Sequence, residues 1–371
     1  MNPLAKKVCH ISTVHQAKDI RIFLKEACFL AEEKYKVYYI NTVGEEGIRG
    51  KVELISACKR SRGRLGRMTR DVWSAYICAL GLKADLYHIH DPELLTAGYL
   101  LRLRGKKVIY DIHEDLPRQI FGKPYLRPYL RASISFFIER LENFFASRMS
   151  ALVCATPSIE SRFKAINKKT ICVQNFPILG ELDRKIDWSK KRKEVCYVGG
   201  ITEIRGIKEV IQAFTLLTNK IRLKLIGNFD SMDLKARCKS MKAWKFVDEM
   251  GFLNRQEVAK VFETTCAGLV TFKALPNHIN AQPNKMFEYM SAGLPVIASN
   301  FPAWKSIVEG HSCGICVNPD DPEAISRAVE YIVYHPKEAE EMGRRGQYAV
   351  QNYYNWQSEF QKLKALYKKL L

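Results

Sequence analysis

The 371-residue chain lacks a long uninterrupted hydrophobic run. Its longest nearly apolar stretch, Val72 to Leu82, contains Ser74 and falls well short of the roughly 20 residues that a transmembrane helix needs. Residues Met1 to Lys7 lead directly into Val8 to Ser12, which is too brief and too polar for the apolar region of a secretory signal. We therefore expect a cytoplasmic protein without membrane-spanning helices.

The cysteines form no pattern that is typical of a disulfide framework or a zinc site. Their number, eleven, is odd, and several lie in apolar, strand-like runs, where a free thiol packs as a small hydrophobe. These are Cys154, Cys172, Cys196 and Cys266. Cys313 and Cys316 have Cys-x-x-Cys spacing, but no second pair completes a zinc site. The pattern indicates structural thiols in a reducing compartment.

Common signatures of phosphate and metal binding are also missing. Gly199 and Gly200 follow the strand-like run Val195 to Val198, but no Gly-Lys-Ser/Thr and no Gly-x-Gly-x-x-Gly occurs there, which excludes a Walker loop and the usual dinucleotide fingerprint. The chain has no Asp-x-Asp triplet and no histidine cluster at ligand spacing in the sequence. We therefore expect no metal.

Positive charge, in contrast, is abundant. The chain has 59 Lys+Arg against 39 Asp+Glu, a net charge of +20, and both halves are basic. Such a balance favours acidic partners: nucleotide phosphates, nucleic acid or anionic lipid. The densest cluster, Lys59 to Arg70, precedes the apolar run Val72 to Leu82 and is typical of a membrane-surface element. A solvated basic loop before a core helix is the alternative interpretation.

Hydrophobic patterning predicts two α/β domains. With 47% hydrophobic residues, the chain is longer than one core usually supports. Short apolar strands alternate with helical stretches in both halves, which predicts two doubly wound parallel sheets. The charged segment 182–193 is interpreted as a linker between domains 1–181 and 194–351, and residues 352–371 form a last helix. In such sheets, ligands bind at the carboxyl ends of the strands.

The most informative segment is 283–299. Asn284 suits a helix start, Gly293 and Pro295 end the helix, and a buried strand follows. A helix N-terminus offers unpaired N–H groups and partial positive charge to a phosphate, and a carboxylate such as Glu288 accepts hydrogen bonds from sugar hydroxyls. The segment therefore predicts a site for the diphosphate and ribose of a nucleotide.

A second segment fits the same ligand. Gly199 and Gly200 directly follow a predicted strand, and their small size lets the backbone approach a phosphate. Arg205 and Lys208 follow within the next turn and are available as cations. A glycine pair alone is weak evidence, so this assignment depends on the segment 283–299.

Together, these segments resemble the retaining glycosyltransferases of family four, and the resemblance covers nearly the whole chain. It rests on the following runs: His10, Asp19 to Glu26, His90 to Leu95, Tyr110 to Asp115, Ala155 to Pro157, Asn175 to Pro177, Tyr197 to Gly200 and Asn284 to Ser299. The resemblance implies the GT-B architecture, two facing Rossmann-like domains with a C-terminal helix that returns to the N-terminal domain. It is closest to bacterial enzymes that build capsule or O-antigen polysaccharide.

The resemblance also implies roles for residues of the second domain. Glu288 matches the carboxylate that binds ribose hydroxyls, whereas Asn280 stands where the family has another carboxylate. Arg205 occupies the position of the diphosphate lysine, and Ile201 replaces a frequent second basic residue. The full expected donor-binding set is Gly199, Gly200, Arg205, Lys208, Phe252, Asn280, Asn284, Lys285 and Glu288. Core packing of Phe252 is the alternative to its contact with the nucleobase.

In the first domain, His113 matches the family histidine that meets the donor sugar, and it is our candidate catalytic residue together with Arg205. Asp19, Arg21, His90 and Asp91 are expected on the acceptor side. Two structural alternatives stay open: an internal ion pair for Asp19 and Arg21, and organisation of a strand end by His90 and Asp91.

The implied reaction moves a sugar from a nucleotide diphosphate sugar, with a UDP-sugar favoured, to a hydroxyl of a glycan or lipid-linked glycan, with retention of configuration. The nucleotide sugar is a substrate, so no cofactor is expected. Such an acceptor would place the protein at the inner face of the cytoplasmic membrane. The alternatives are a nucleotide-sugar 2-epimerase, which needs no acceptor, and a basic nucleic-acid-binding protein, although the chain has no recognisable reader motif.

Overall fold

Two separate sheets organise the chain. The structure is a computed structural model and describes residues 5–122, 126–183, 187–217 and 221–371. It divides into unit 1, Met1–Asn175 with Trp356–Leu371, and unit 2, Phe176–Asn355. The division follows Asn175 rather than residue 181, and the returning segment begins at Trp356 rather than at residue 352. Residues 184–186 of the expected linker lie outside the described residues.

Unit 1 contains an eight-stranded sheet with the order β3-β4-β2-β1-β5-β6-β7-β8. Its strands are β1 Lys7–Ile11, β2 Lys36–Asn41, β3 Gly47–Arg49, β4 Val52–Ser56, β5 Leu86–Ile89, β6 Lys107–Ile112, β7 Ala151–Cys154 and β8 Thr170–Cys172. All pairs are parallel except the β3–β4 pair. The strand order reverses between β1 and β5, which is where a doubly wound sheet binds ligands.

Helices cover this sheet. They are α1 Cys28–Glu32, α2 Arg64–Gly66, α3 Val72–Leu82, α4 Leu95–Leu103, α5 Leu116–Gln119, α6 Pro128–Ala146, α7 Pro157–Lys164 and α16 Trp356–Leu370. π-Helical turns Ile20–Ala27 and Arg67–Asp71 lead into α1 and α3, and 3₁₀ turns are formed by Pro92–Leu94 and Ile120–Gly122. Among the described residues, no helix is both long and apolar enough to cross a membrane.

The last helix, α16, packs within unit 1. The Tyr367 hydroxyl lies 2.7 Å from Nδ1 of His88 on β5, and Lys364 is 2.6 Å from the Glu33 carboxylate. Trp356 is fully buried, with the Lys25 ammonium 5.8 Å from its ring. Buried aromatic contacts thus fix this helix to the sheet of unit 1.

Unit 2 contains a six-stranded, wholly parallel sheet with the order β11-β10-β9-β12-β13-β14. Its strands are β9 Glu194–Val198, β10 Arg222–Ile226, β11 Val247–Gly251, β12 Ala267–Val270, β13 Val296–Ser299 and β14 Gly314–Val317. Along β9, Val195 and Tyr197 belong to one core and Cys196 to another. Since successive side chains point to opposite faces, both faces of this sheet are covered.

The helices of unit 2 follow its strands. They are α8 Ile207–Ala213, α9 Met232–Lys239, α10 Arg255–Thr264, α11 Pro276–Ile279, α12 Asn284–Ser291, α13 Pro302–Val308, α14 Pro322–Tyr334 and α15 Pro336–Asn352, with 3₁₀ turns Trp188–Lys190, Glu203–Arg205 and Lys242–Phe246. The expected free thiols are present: all eleven cysteines are unpaired. The strand order reverses between β9 and β12, which places the predicted glycine turn at the switch point of this sheet.

Candidate functional site

The glycine turn after β9 is held closely against the neighbouring strand end. Gly199 has φ +119°, a conformation that favours glycine, and its N–H donates to the Ile226 carbonyl at 2.9 Å. A Cβ on Gly227 would lie 2.0 Å from the Gly199 oxygen, so the two chain segments can pass each other only without side chains. The turn therefore exposes backbone at the switch point.

Two cations converge on this turn. Arg205 Nη1 donates to the Gly200 carbonyl at 3.1 Å, and a Cβ on Gly199 would lie 3.4 Å from Lys285 Nζ. The Lys285 side chain is 8% exposed, and its Nζ has no hydrogen-bond partner among the described residues. Burial lowers the pKa of Lys285 well below its ordinary value, and the charge of Arg205 lowers it further. A buried ammonium without an acceptor marks a site for an incoming anion.

Aromatic rings hold the same two cations in place. Lys285 Nζ lies 3.7 Å from the centroid of the Tyr197 ring, and the guanidinium of Arg205 lies 5.2 Å from that of Phe272. Ring faces attract cations without neutralising them. The positive charge therefore stays available to a ligand.

Helix α12 brings Lys285 to the turn. Pro283 precedes the helix, and no side chain caps its first N–H groups. The Tyr289 hydroxyl accepts a hydrogen bond from the Val198 N–H at 2.9 Å, and its ring fills the space above Gly268, where a Cβ would lie 2.2 Å from ring carbons. These contacts fix the start of α12, with the exposed Asn284 as its first residue, beside the end of β9.

Glu288 is paired with an arginine that the sequence analysis did not single out. Arg255 Nη1 donates to Glu288 Oε1 at 2.9 Å, and its Nη2 donates to Glu181 Oε2 at 2.8 Å. Burial lowers the pKa of Arg255, but the two carboxylates outweigh burial and raise it above its ordinary value. Arg255 follows the end of β11, and ligand-contacting residues of α/β sheets often occupy such positions. This position could have identified Arg255 as a candidate from the sequence.

The remaining expected donor-binding residues have different surroundings. Lys208 Nζ is 2.7 Å from Glu203, so its charge is neutralised locally. Phe252 is 76% exposed, which excludes the alternative of core packing. Asn280 is exposed and follows the short helix α11. Together, the structure brings Gly199, Gly200, Arg205 and Lys285 into one group.

In unit 1, His113 belongs to a charged group at the end of β6. Its Nε2 lies 2.9 Å from Asp111 Oδ2. Asp111 also accepts two hydrogen bonds from Arg21, at 2.9 Å from Nε and 2.8 Å from Nη2. Burial raises the pKa of Asp111, but Arg21 and His113 outweigh burial and hold it well below its ordinary value. The ionised Asp111 therefore fixes a proton on Nε2 of His113 and leaves its Nδ1 as an acceptor.

The expected acceptor-side group is largely buried. Arg21 is 4% exposed, and His90 and Asp91 are each 2% exposed, so the three side chains do not face solvent. Arg21 pairs with Asp111 rather than with Asp19. Asp91 Oδ2 accepts from the Thr13 N–H at 2.6 Å. These residues organise the loops at the strand ends, the alternative that the sequence left open for His90 and Asp91.

Asp19 caps the helical segment that begins at Ile20. Its Oδ1 accepts from the N–H groups of Arg21 and Ile22, at 2.8 and 2.9 Å. His15, which the sequence analysis missed, lies 3.3 Å from Asp19 and 3.4 Å from Asp91. Burial raises the pKa of Asp19, but the hydrogen bonds from His15 and Ile22 outweigh it and lower the pKa to about 2.

The fold assembles a buried histidine cluster that does not appear as ligand spacing in the sequence. His10, His88 and His90 meet Glu26, and all four are buried. His10 and Glu26 are far in sequence from His88 and His90, but β1 and β5 are neighbours in the sheet, with His10 opposite His88. The pairing of β1 with β5 would have predicted the cluster.

Each unit matches the model of a known protein family. Residues 24–175 match the model of Glycosyltransferase Family 4, and residues 180–348 match that of Glycosyl transferases group 1. An uncharacterized glycosyltransferase of Methanocaldococcus jannaschii is 25% identical over 168 residues, 41% of this chain and 42% of that protein. The capsular polysaccharide biosynthesis glycosyltransferase CapM of Staphylococcus aureus is 24% identical over 185 residues, 47% of this chain and 46% of that protein. The matches thus span somewhat less than half the length of these relatives.

Solved structures establish the fold. Sucrose-phosphate synthase from Thermosynechococcus elongatus superimposes with a TM-score of 0.79 at 17% identity, over 98% of this chain and 99% of that one. Anabaena HepE in complex with UDP-glucose superimposes with a TM-score of 0.72 at 13% identity, over 98% and 99%. The chain therefore has the GT-B fold, with a match to Glycosyltransferase Family 4 in unit 1 followed by a match to Glycosyl transferases group 1 in unit 2.

Proposed function

We propose that this protein transfers a sugar from a nucleotide diphosphate sugar to a hydroxyl of a glycan or lipid-linked glycan, with retention of configuration. One observation carries the proposal. The buried Lys285 ammonium lacks an acceptor among the described residues and points, with Arg205, at the backbone of Gly199 and Gly200. A diphosphate supplies the acceptors that this arrangement needs.

The same arrangement suits the chemistry. Departure of the nucleotide diphosphate builds negative charge on the β-phosphate, and groups that are already aimed at that charge stabilise the transition state without rearrangement. Lys285, Arg205 and the first N–H groups of α12 provide them. A bound phosphate also raises the pKa of Lys285, since an adjacent anion favours the ammonium form. The leaving phosphate can accept the proton of the attacking hydroxyl on the same face, which is the basis for proposing retention without added metal.

His113 is the candidate catalytic residue of unit 1. Asp111 holds the proton on its Nε2, so its Nδ1 is an acceptor for a hydroxyl of the donor sugar. Arg21 acts on this histidine only through Asp111, at 2.8 and 2.9 Å. Arg21 is therefore a positioning residue.

The comparisons support a choice of substrates. HepE of Anabaena was solved with UDP and with UDP-glucose, which favours a UDP-sugar as donor. CapM is named for capsular polysaccharide biosynthesis, which favours a surface polysaccharide as product. In this proposal, the nucleobase lies beside the exposed Phe252 of unit 2, and the ribose binds at Glu288.

Contact with an anionic membrane at the inner face of the cytoplasmic membrane would suit a lipid-linked acceptor. Leu65 and Met68 are exposed and lie among the basic residues of Lys59 to Arg70, and the exposed Trp73 and Ile77 follow in α3. Apolar side chains beside arginines are typical of a surface that binds anionic lipid. Replacing Arg62, which is exposed, by Gln should weaken binding to phosphatidylglycerol vesicles by about 1 kcal/mol, or about fivefold. Unchanged binding of Arg62→Gln to the vesicles would argue against an anionic membrane as a partner of this segment.

The decisive experiment measures nucleotide binding in Lys285→Met. Methionine keeps the length and apolar stem of the buried side chain, so we expect the variant to fold. UDP, GDP and ADP are compared by thermal shift and calorimetry. Loss of a charge-assisted hydrogen bond should weaken binding of the preferred diphosphate by about 10- to 150-fold, or about 1.5 to 3 kcal/mol.

Lys208→Met is the matched control, because Lys208 is close in sequence to Arg205 but is paired with Glu203. It should bind the nucleotide as the wild type does. If Lys285→Met binds the diphosphate with unchanged affinity, the donor site is wrongly assigned. Interconversion of the donor sugar without an acceptor would instead favour an epimerase.

A further inference from the structure

We propose that unit 1 holds a structural zinc ion, or a divalent ion of the same class, between His10, Glu26 and His90, with His88 beside them. The site is separate from the proposed donor site in unit 2 and does not depend on it. β1 contributes His10, β5 contributes His88, and His90 follows β5. Glu26 comes from the π-helical turn Ile20–Ala27.

The distances suit a metal. His10 Nδ1 and His90 Nε2 share a hydrogen bond at 2.9 Å, which the ion would replace, and Glu26 Oε2 lies 3.9 Å from the first nitrogen and 4.0 Å from the second. A point equidistant from these three atoms lies about 2.1 Å from each, which is a normal Zn–N or Zn–O bond length. His88 Nδ1 is a fourth nearby nitrogen, 3.6 Å from the same carboxylate oxygen, and binding of an ion there would replace its hydrogen bond with the Tyr367 hydroxyl at 2.7 Å.

The surroundings leave part of the cluster without partners. Neither oxygen of Glu26 has a hydrogen-bond partner among the described residues, and the same is true of Nε2 of His10 and of His88. All three side chains are fully buried. Buried polar atoms are almost always satisfied, so the cluster requires a component that supplies bonds to these atoms, and Glu26 Oε2 is the atom that the proposed ion satisfies.

The buried charges point to a cation. Two carboxylates, Glu26 and Asp111, lie near one guanidinium, that of Arg21. Arg21 donates two hydrogen bonds to Asp111, whereas its Nε is 3.3 Å from Glu26 Oε1 without a hydrogen bond. One guanidinium cannot neutralise two buried carboxylates, and the negative charge that remains is costly. A divalent cation at the cluster would neutralise the negative charge of Glu26. The alternative is that the Glu26 carboxylate is protonated.

The second shell also fits. His90 offers Nε2 to the ion, and its Nδ1 lies 3.3 Å from Asp111 Oδ2. A metal-bound histidine usually donates its other N–H to a carboxylate, which fixes the ring. Asp111 in turn holds His113, so the ion would hold in place the carboxylate that positions the candidate catalytic histidine.

The donor atoms select the class of ion. Imidazoles with one carboxylate are a zinc donor set, whereas magnesium and calcium prefer oxygen ligands throughout. Because the cluster is fully buried, it is a closed structural site with no position for substrate. Transfer of sugar does not pass through it, and magnesium or manganese should not bind there.

The test is metal analysis of the full chain, expressed with zinc, desalted, and passed through a brief chelator wash. Wild-type protein should retain about one zinc per chain, and Glu26→Gln should lose nearly all of it. His335→Ala, at an exposed histidine of unit 2, is the matched control and should keep the wild-type content. Equal zinc in Glu26→Gln and His335→Ala would overturn the proposal.

A second measurement does not depend on the folding of a variant. Wild-type protein expressed with cobalt should show the intense visible absorption of a four-coordinate Co²⁺ ion, which depends on geometry and not on activity. Wild-type protein that is folded, free of zinc and without this absorption would overturn the proposal and leave a proton as the charge on Glu26. Calorimetric titration measures nucleotide affinity at the proposed donor site of unit 2, so failure of one site leaves the other assignment testable.

Discussion

The two units solve the problem of buried charge in opposite ways. In unit 2, Lys285 lacks an acceptor among the described residues, and Arg205 donates to a backbone carbonyl rather than to a carboxylate. In unit 1, Arg21 is fully engaged by Asp111 and the Val173 carbonyl. Unit 2 therefore keeps positive charge available for a ligand, whereas unit 1 uses its charges to hold its own residues in position.

This difference predicts which substitutions affect ligand binding and which affect the stability of the fold. A buried charge costs free energy unless another group neutralises it. In unit 2 the neutralising group is the incoming diphosphate, so replacing Lys285 should affect binding more than folding. At the Arg21–Asp111 pair of unit 1 the neutralising groups belong to the chain, so replacing them should affect folding first.

The largest effect is expected for Asp111→Ala. The substitution leaves the Arg21 guanidinium, 4% exposed, without its carboxylate, and an unpaired buried charge typically costs about 3 to 5 kcal/mol. We expect the free energy of unfolding of unit 1 to fall by that amount in urea denaturation. Asp85→Ala is the control, because Asp85 forms an exposed pair with Lys6 at 4.0 Å and should cost less than about 1 kcal/mol. Equal losses in the two variants would contradict the stabilising role of the Asp111 group.

A smaller effect, on binding rather than stability, is expected for Glu288→Ala. Arg255 keeps its bond to Glu181, and the Glu288 side chain is 18% exposed, so the fold should be preserved. Loss of a charged hydrogen bond to ribose should weaken nucleotide affinity by about 10- to 150-fold, or about 1.5 to 3 kcal/mol. Calorimetry measures the affinity, and Glu323→Ala, in an exposed pair with Arg327, is the control. An unchanged affinity in the folded variant would remove the ribose role of Glu288.

The sequence allowed prediction of features that depend on neighbours along the chain. Hydrophobic alternation predicted two α/β sheets and most of their strands, but not β3, β4 and β14, and the glycine, proline and asparagine positions of 283–299 predicted α12 and the strand after it. The pairings were not predictable in this way, because they join residues that are distant in sequence. Arg21 and Asp111 are 90 residues apart, and Arg255 and Glu288 are 33 apart. Which parallel strands become neighbours decides such pairs, and that choice depends on packing of the whole unit.

The burial of Arg21, His90 and Asp91 could not be predicted from the sequence either. Their residue types and their places at strand ends are compatible with contact to a substrate and with support of a loop. Burial distinguishes the two, and burial depends on what packs above the strand end. Lys285 is the converse case, since its position in the first turn of α12 was predicted, whereas its burial beside Arg205 was not.

The smallest effect concerns the pH dependence of unit 1 through Asp19. Its folded-state pKa is lowered from 3.8 to about 2, so the carboxylate contributes stability above about pH 4 and loses it as the pH falls toward 2. A shift of this size corresponds to about 2 kcal/mol. Asp19→Asn should therefore be less stable than wild type by about that amount near pH 7, and the difference should shrink as the pH falls toward about 3. Urea denaturation across this range measures it, with Asp233→Asn, at an exposed carboxylate, as the control. A difference that stays constant with pH would mean that the negative charge of Asp19 does not stabilise the loop between β1 and α1, and that unit 1 holds its strand ends by hydrogen bonds alone.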